Sequence, residues 1–116
     1  MVATSKMKKA QDSAKSGRPY ALLLSDIIVS IADEFEEITS SYFVGKPVKH
    51  RGILVIGTDK GLCGALNGNL FRNLSDVENS AKFVAVGKRA SQYLSRTRRD
   101  LLADFTLPDK PTFSDI

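Results

Sequence analysis

One segment of the sequence combines residue types that bind phosphate or act as nucleophiles. Residues 57–64 read Gly-Thr-Asp-Lys-Gly-Leu-Cys-Gly, which places three glycines beside a carboxylate, an amine and a thiol. Glycine-bearing turns between a strand and a helix hold phosphate in nucleotide-binding proteins, because their backbone amides approach the anion closely. A cysteine beside a base is the nucleophile of thiol enzymes.

The spacing of this segment fits neither chemistry. The glycines follow G-x-x-x-G-x-x-G, whereas the dinucleotide fingerprint is G-x-G-x-x-G and the P-loop is G-x-x-x-x-G-K-[ST]. Cys63 is the single cysteine, and His50, the single histidine, precedes the adjoining strand, so no base, disulfide partner or zinc-ligand set is indicated. We therefore predict no catalytic residue, no cofactor and no metal site. A nucleotide- or phosphate-binding α/β module with a helical appendage is the alternative function.

Charge is segregated along the chain. The net charge of +4 comprises +4 on residues 1–18, −5 on 19–45, +8 on 46–99 and −3 on 100–116. The basic third block, with Arg96, Arg98 and Arg99 close together, is compatible with a nucleic-acid surface or with a solvated face. No aromatic-interleaved RNA-binding signature or Cys/His finger accompanies it, so we predict no nucleic-acid partner.

A heptad seam dominates the first forty residues and predicts a long coiled-coil-type helix. Its members follow one another at alternating intervals of three and four residues, which is the spacing of positions a and d. The seam consists of Met7, Ala10, Ala14, Gly17, Ala21, Leu24, Ile28, Ile31, Phe35 and Ile38. Pro19 lies off the seam, and because the heptad phase continues across it we predict one unbroken helix, roughly 57 Å long over residues 2–40. Such a helix needs a partner for its seam.

Residues 45–116 have the sequence pattern of a parallel α/β domain. Residues 52–57 and 83–87 are short continuous apolar runs, typical of strands buried on both faces in a parallel sheet. Leu66, Leu70 and Leu74 recur at helical spacing after the first run, and residues 88–98 are a second helical segment. Residues 101–106 are a candidate third strand. The predicted fold is thus α/β: a long helix over residues 1–44, and the N-terminal part of a Rossmann-like α/β/α domain with a mostly parallel sheet over 45–116.

Two further features bear on membrane insertion and on the extent of the chain. No apolar run reaches the roughly 18–20 residues of a membrane-spanning helix. Thr112 and Asp115 have the spacing of a capping box, but the sequence stops at Ile116. We therefore expect this chain to be an incomplete part of a longer polypeptide.

Two segments together resemble the gamma subunit of rotary ATP synthases. Residues 1–11, Met-Val-Ala-Thr-Ser-Lys-Met-Lys-Lys-Ala-Gln, with Arg-Pro-Tyr-Ala at 18–21, resemble its N-terminal helix. Residues 58–67, Thr-Asp-Lys-Gly-Leu-Cys-Gly-Ala-Leu-Asn, resemble its signature turn and the helix that follows. Gly87-Lys88 and Pro111-Thr112 occur in the expected order.

The resemblance implies a noncatalytic central-stalk rotor that couples ion flow through a membrane ring to ATP synthesis or hydrolysis in the catalytic head. It implies a shaft completed by a C-terminal helix of the same polypeptide, inserted among alpha and beta subunits. On this basis the contacts with the catalytic subunits are Lys6, Met7, Lys8 and Lys9. The signature turn near the epsilon-type subunit and the c-ring comprises Asp59, Lys60, Gly61, Leu62, Cys63, Gly64 and Asn67. The implied location is peripheral, on the cytoplasmic, matrix or stromal side of an energy-coupling membrane such as the cell inner membrane, with no small-molecule substrate.

Overall fold

The computed structural model describes residues 1–34 and 42–115. The chain consists of two compact units, Met1–Lys46 and Pro47–Ile116.

In the first unit the structure describes one helix, α1, over Val2–Glu34. The helix passes through Pro19 without a break, as the continuous heptad phase predicts, although a proline removes the amide of one intrahelical hydrogen bond. All 33 residues of α1 are exposed. The predicted end of the helix at residue 40 and the seam positions Phe35 and Ile38 lie outside the described residues.

The second unit alternates strands and helices, and this confirms the predicted α/β class. Its elements are β1 at Gly52–Ile56, α2 at Leu66–Ser75, β2 at Lys82–Val86, α3 at Lys88–Arg96 and β3 at Asp100–Phe105, followed by a short 3-10 turn at Phe113–Asp115. The strands lie in the order β1-β2-β3, and both pairs are parallel.

The core of this unit lies between one face of the sheet and the two helices. Val55, Phe83 and Ala85 alternate along the strands with more exposed residues, as one buried sheet face requires. Leu74 of α2 and Ala90 and Leu94 of α3 close the core from the helix side, whereas Leu66, the first leucine of the predicted helical spacing, is 60% exposed. The helices also touch each other, since the rings of Phe71 and Tyr93 stack with centroids 4.1 Å apart.

The other face of the sheet, which the continuous apolar runs predict to be buried as well, instead presents apolar side chains to the surface. Leu54, Ile56, Leu102 and Phe105 on this face are between 56% and 65% exposed. Leu102 stands at a register shift, because Phe83 pairs with Leu101 whereas Val84 pairs with Ala103. The extra residue in β3 is a bulge, which turns Leu102 outward.

Arg99 joins the end of α2 to the start of β3. Its Nη2 atom donates a hydrogen bond to the Leu74 carbonyl at 3.1 Å, and its Nη1 atom donates to the Val77 carbonyl at 2.7 Å. The guanidinium also lies 5.7 Å from the centre of the Phe83 ring. A positive group at the carboxyl end of a helix satisfies carbonyls that have no partner within the helix.

Candidate functional site

The glycine-bearing turn leaves the carboxyl end of β1, where a parallel sheet places the loops that carry function. Gly57 donates its amide to the Val86 carbonyl at 2.8 Å, so the turn starts against the end of β2. Gly87 is buried with a φ of 95°, and a Cβ there would collide with the Gly57 carbonyl oxygen. The carboxyl ends of β1 and β2 can meet this closely only because position 87 has no side chain.

Asn67 closes the turn from the first part of α2. Its Nδ2 atom donates to Thr58 Oγ1 at 2.7 Å and lies 3.2 Å from Cys63 Sγ, while its Oδ1 atom accepts the Thr58 amide at 3.3 Å. The Thr58 hydroxyl in turn donates to the Lys60 carbonyl at 2.7 Å. Asn67 therefore holds both ends of the loop with one side chain.

Asp59 binds the amino end of α3. Its Oδ1 atom accepts the Lys88 amide at 3.0 Å, and the neighbouring Thr58 carbonyl accepts the Arg89 amide at 3.0 Å. The first amides of a helix are the groups that bind a phosphate when they are available. Here the turn itself supplies the negative charge and the acceptors, so these two amides are already engaged.

Cys63 has polar neighbours but no base among them. Its half-buried Sγ atom lies 3.5 Å from Thr58 Oγ1 and donates weakly to the Lys60 carbonyl at 3.8 Å. A nucleophilic thiol needs a group that removes its proton, and neither the hydroxyl of Thr58 nor the amide of Asn67 does this at neutral pH. The contacts of Cys63 are those of a side chain that packs the turn.

A small depression lies beside the turn, between α3 and the end of β3. Ser91 Oγ donates to Asp104 Oδ2 across it at 3.0 Å, and Gly87, Gln92 and Phe105 complete much of the wall. Its volume of about 110 Å³ is well below the roughly 300–1,000 Å³ of sites that hold drug-sized ligands. Within residues 1–34 and 42–115, no group of three or more His, Cys, Asp or Glu side chains is arranged to hold a metal ion.

The remaining predicted contact residues lie on α1. Lys6, Met7, Lys8 and Lys9 are all exposed on its first turns, and the seam residues from Met7 to Ile31 are exposed along its length. The structure thus places the two predicted sets of contact residues on different units, one on α1 and one on the β1-α2 turn. No helix in the described part of the chain is long and apolar enough to cross a membrane.

Sequence reasoning missed two properties of the turn. It did not assign the Asp59 carboxylate to the amino end of α3, although the adjacency of two parallel strands brings their following loops together. It also did not identify Leu62 as a strained position. Leu62 has a left-handed φ of 61° and a side chain that is fully exposed, and no signal in the sequence distinguishes it.

The comparisons with known proteins agree with the resemblance seen in the residues. A family model described as ATP synthase matches residues 1–116. The ATP synthase gamma chain of Opitutus terrae is 47% identical over 116 residues, which cover 100% of this chain and 40% of that protein. Gamma chains of Methylacidiphilum infernorum and Desulfitobacterium hafniense are 40% and 32% identical, and the matches cover 41% and 42% of their lengths. The chain therefore spans about two fifths of the length of these curated relatives.

Proposed function

Since the chain belongs to the ATP synthase gamma-chain family, we propose that it forms part of a central-stalk rotor. In this role its rotation couples ion flow through a membrane ring to ATP synthesis or hydrolysis in the catalytic head. The complex, rather than this chain, is the enzyme. The chain works as a peripheral component on the side of the energy-coupling membrane that carries the catalytic head.

The observation that carries this proposal is the exposed seam of α1. A helix of 33 residues with no buried residue obtains little stability from its own unit. Its a and d positions carry no charge from Met7 to Ile31, which is expected of a helix that packs against a second helix. A stiff two-helix shaft is the element that can transmit torque.

The amino end of α1 supports a contact with acidic loops of the catalytic subunits. Lys6, Lys8 and Lys9 give this end a positive surface, and Met7 adds an adaptable apolar side chain among them. Charge complementarity guides such contacts without locking them, because exposed ion pairs contribute little binding energy each. A surface of this kind suits a shaft that must slide past successive neighbours.

The β1-α2 turn supports a contact with the epsilon-type subunit and the c-ring. Its interior is fixed by Asn67 and by the Asp59 contact with α3, whereas Leu62 at its tip is fully exposed in a left-handed conformation. Strained, exposed apolar residues on a rigid loop are concentrated at binding sites. We propose Leu62 as the apolar anchor of this contact.

The test uses a chimera, because this chain aligns over its whole length with part of the Opitutus terrae gamma chain. The chain replaces the matching segment of that protein, and ion-driven ATP synthesis is measured in vesicles that contain the assembled complex. Ile28→Asp should reduce coupled synthesis by at least about tenfold, because a charge at an a position opposes helix pairing. Ile28→Leu, the matched control, should retain it.

If the Ile28→Asp chimera retained coupled ATP synthesis, the result would contradict the proposed role of the seam in the rotor. The alternative of a nucleotide- or phosphate-binding module predicts something different, namely stoichiometric binding of ATP, ADP or NAD to the isolated chain in calorimetry. No contact in the turn favours it, since the amides of Lys88 and Arg89 are engaged by Asp59 and Thr58.

A further inference from the structure

The residue that closes the β1-α2 turn is chemically labile. Asn67 is followed directly by Gly68. Asparagine is a thermolabile residue, and it reacts fastest before glycine, because the amide nitrogen of a residue without a side chain reaches the asparagine carbonyl carbon most easily. The two other asparagines of α2, Asn69 and Asn73, are each followed by leucine, whose side chain shields that nitrogen.

The group that would attack Asn67 is accessible in the folded chain. Gly68 is exposed in the first turn of α2, which begins at Leu66. The amides of a first turn have no carbonyl partner within the helix. Among the described residues, no backbone carbonyl outside the helix accepts the Gly68 amide either. A Cβ on Gly68 would have no atom within 4 Å, so nothing covers this position.

The side chain that would be attacked is held away from Gly68. Side chains on a helix lean toward its amino end, and Asn67 reaches in that direction. Its Nδ2 atom donates to Thr58 Oγ1 at 2.7 Å, and its Oδ1 atom accepts the Thr58 amide at 3.3 Å. Nδ2 also lies 3.2 Å from the Sγ atom of Cys63, four residues earlier. Because the Gly68 nitrogen lies on the carboxyl side of Asn67, ring closure requires these contacts to break.

We propose that Asn67 is a deamidation site whose rate is set by opening of the turn. In the open state the Gly68 amide nitrogen loses its proton to base and bonds to the Asn67 side-chain carbonyl carbon. The bond from that carbon to Nδ2 breaks, and the nitrogen leaves as ammonia with a proton from water. Water then opens the succinimide ring at either carbonyl, which gives aspartate or isoaspartate. Water is the only co-reactant.

Both products weaken the turn. Aspartate has no Nδ2 donor, so the bond to Thr58 Oγ1 is lost. The Thr58 hydroxyl can donate to the new carboxylate only by giving up the Lys60 carbonyl, which it reaches at 2.7 Å. Isoaspartate adds a carbon to the backbone at the second residue of α2, so the first helical turn loses its spacing. Since the ammonia is lost, each event is permanent.

This site is independent of the proposed rotor role. Deamidation concerns the covalent state of the turn in any assembly, and it is measured on the mass and products of one peptide. The rotor role is tested by ATP synthesis in the assembled chimera, so either proposal can fail while the other stands.

Mass spectrometry of the aged chain tests the proposal. The full chain is incubated in mildly alkaline buffer and cleaved with trypsin, which releases residues 61–72 with both Asn67 and Asn69. Deamidation should occur at Asn67 while Asn69 stays intact. The products should include isoaspartate, which forms only through the ring.

A synthetic peptide of residues 61–72 gives the rate without the turn. The folded chain should react at least about tenfold more slowly than this peptide, which corresponds to a free energy of opening of at least about 1.4 kcal/mol. Circular dichroism before and after incubation verifies that the chain stays folded.

A matched pair of variants identifies the contact that sets the rate. Thr58→Val removes the hydroxyl that accepts from Asn67, and it should speed deamidation of the folded chain by about two- to tenfold, the range for loss of one hydrogen bond. Thr97→Val is the control. It removes a hydroxyl that donates to the Tyr93 carbonyl at 2.8 Å at the end of α3, and it should leave the rate unchanged.

Gly68→Ala tests the attacking group. A Cβ fits at this position without contact, and alanine favours a helix, so the variant should keep its fold. The added methyl group hinders the nitrogen. Deamidation at Asn67 should fall below detection over the period in which most of the parent peptide reacts, both in the chain and in a peptide with the same substitution.

Four outcomes would overturn the proposal. The first is an equal rate in the folded chain and the peptide, which would show that the turn gives no protection. The second is an equal effect of Thr58→Val and Thr97→Val. The third is an Asn67 that stays intact even in the Thr58→Val chain. The fourth is undiminished deamidation in Gly68→Ala, which would assign the reaction to direct hydrolysis.

Discussion

The two units of this chain differ in the burial of their apolar side chains. In the α/β unit, Phe83 and Leu94 are completely buried between the sheet and its helices. In α1, no residue is buried, and Leu24, Ile28 and Ile31 remain between 41% and 49% exposed. The α/β unit has a buried apolar core as well as an exposed apolar sheet face, whereas the apolar residues of α1 are all exposed.

The difference shows that apolar content alone does not tell a core from an interface. The α/β unit distributes its apolar residues over strands and helices that fold onto one another, so its core is buried without a partner. In α1 they lie on a single helix, which cannot close on itself. A substitution in one unit should therefore differ in its effect from the matching substitution in the other.

The largest contrast is expected between Phe83→Ala and Ile28→Ala. Removing the buried ring should lower the free energy of unfolding of the α/β unit by about 3–5 kcal/mol, because it leaves a cavity in the core. In the isolated chain, Ile28→Ala should leave the helix content of α1 unchanged or slightly higher, since alanine has the greater helix propensity. Amide hydrogen exchange by mass spectrometry measures both, on peptides from β2 and from α1. Equal loss of protection in the two variants would contradict the distinction.

A smaller contrast is expected between two polar side chains. Asn67→Ala should lower the free energy of unfolding by about 1–3 kcal/mol. The substitution removes the contacts with Thr58 and leaves the half-buried Thr58 amide without its acceptor. Ser30→Ala should change the free energy of unfolding by no more than about 0.5 kcal/mol, because the Ser30 hydroxyl donates to the exposed Asp26 carbonyl at 2.9 Å. Urea unfolding measures the difference.

The reaction rate of the Cys63 thiol gives a second measurement for the same two variants. Asn67→Ala should speed its reaction with a thiol reagent, since the turn that half-buries the sulfur loosens. Ser30→Ala should leave the rate unchanged. An unchanged rate in Asn67→Ala would mean that other contacts hold the turn.

The smallest effect concerns pH and Asp115. The Thr112 amide donates to its carboxylate at 2.6 Å and the Thr112 hydroxyl at 2.8 Å, and these bonds lower the pKa of Asp115 below its ordinary value of 3.8. Because the folded pKa is the lower one, this contribution to stability is present above the ordinary value and is lost as pH falls through the folded pKa. An NMR titration should show the lowered pKa of Asp115. Thr112→Val should raise this pKa only part of the way to its ordinary value, since the larger contribution from the Thr112 amide remains. A fully ordinary pKa in that variant would assign the whole effect to the hydroxyl.

Much of the fold could be predicted from local patterns. The seam predicts α1 across Pro19, because its alternating intervals of three and four residues are those of a helix. The two short continuous apolar runs predict β1 and β2, because such runs are typical of strands in a parallel sheet. The bulge at Leu102 could not be predicted in this way. It depends on the pairing of β3 with β2, which no single strand encodes.

The candidate turn was only partly predictable for the same reason. Its residues stand out in the sequence, but the roles of Asp59 and Asn67 depend on which loops and helices the sheet brings together. Arg99 is a similar case. Its hydrogen bonds reach Leu74 and Val77, more than twenty positions earlier in the chain.

The junction of Gly57, Gly87 and Ala90 determines where this chain can vary. A Cβ on Gly57 would lie 3.1 Å from the Ala90 Cβ, and one on Gly87 would overlap the Gly57 carbonyl. A saturation library at position 87 should therefore return glycine, and position 57 should tolerate little else. The tip of the turn at Leu62 faces solvent, so its side chain is not limited by neighbours, although its left-handed φ of 61° disfavours β-branched residues. Sequence diversity, and with it any change of binding specificity, can enter this loop at its tip while its base stays invariant.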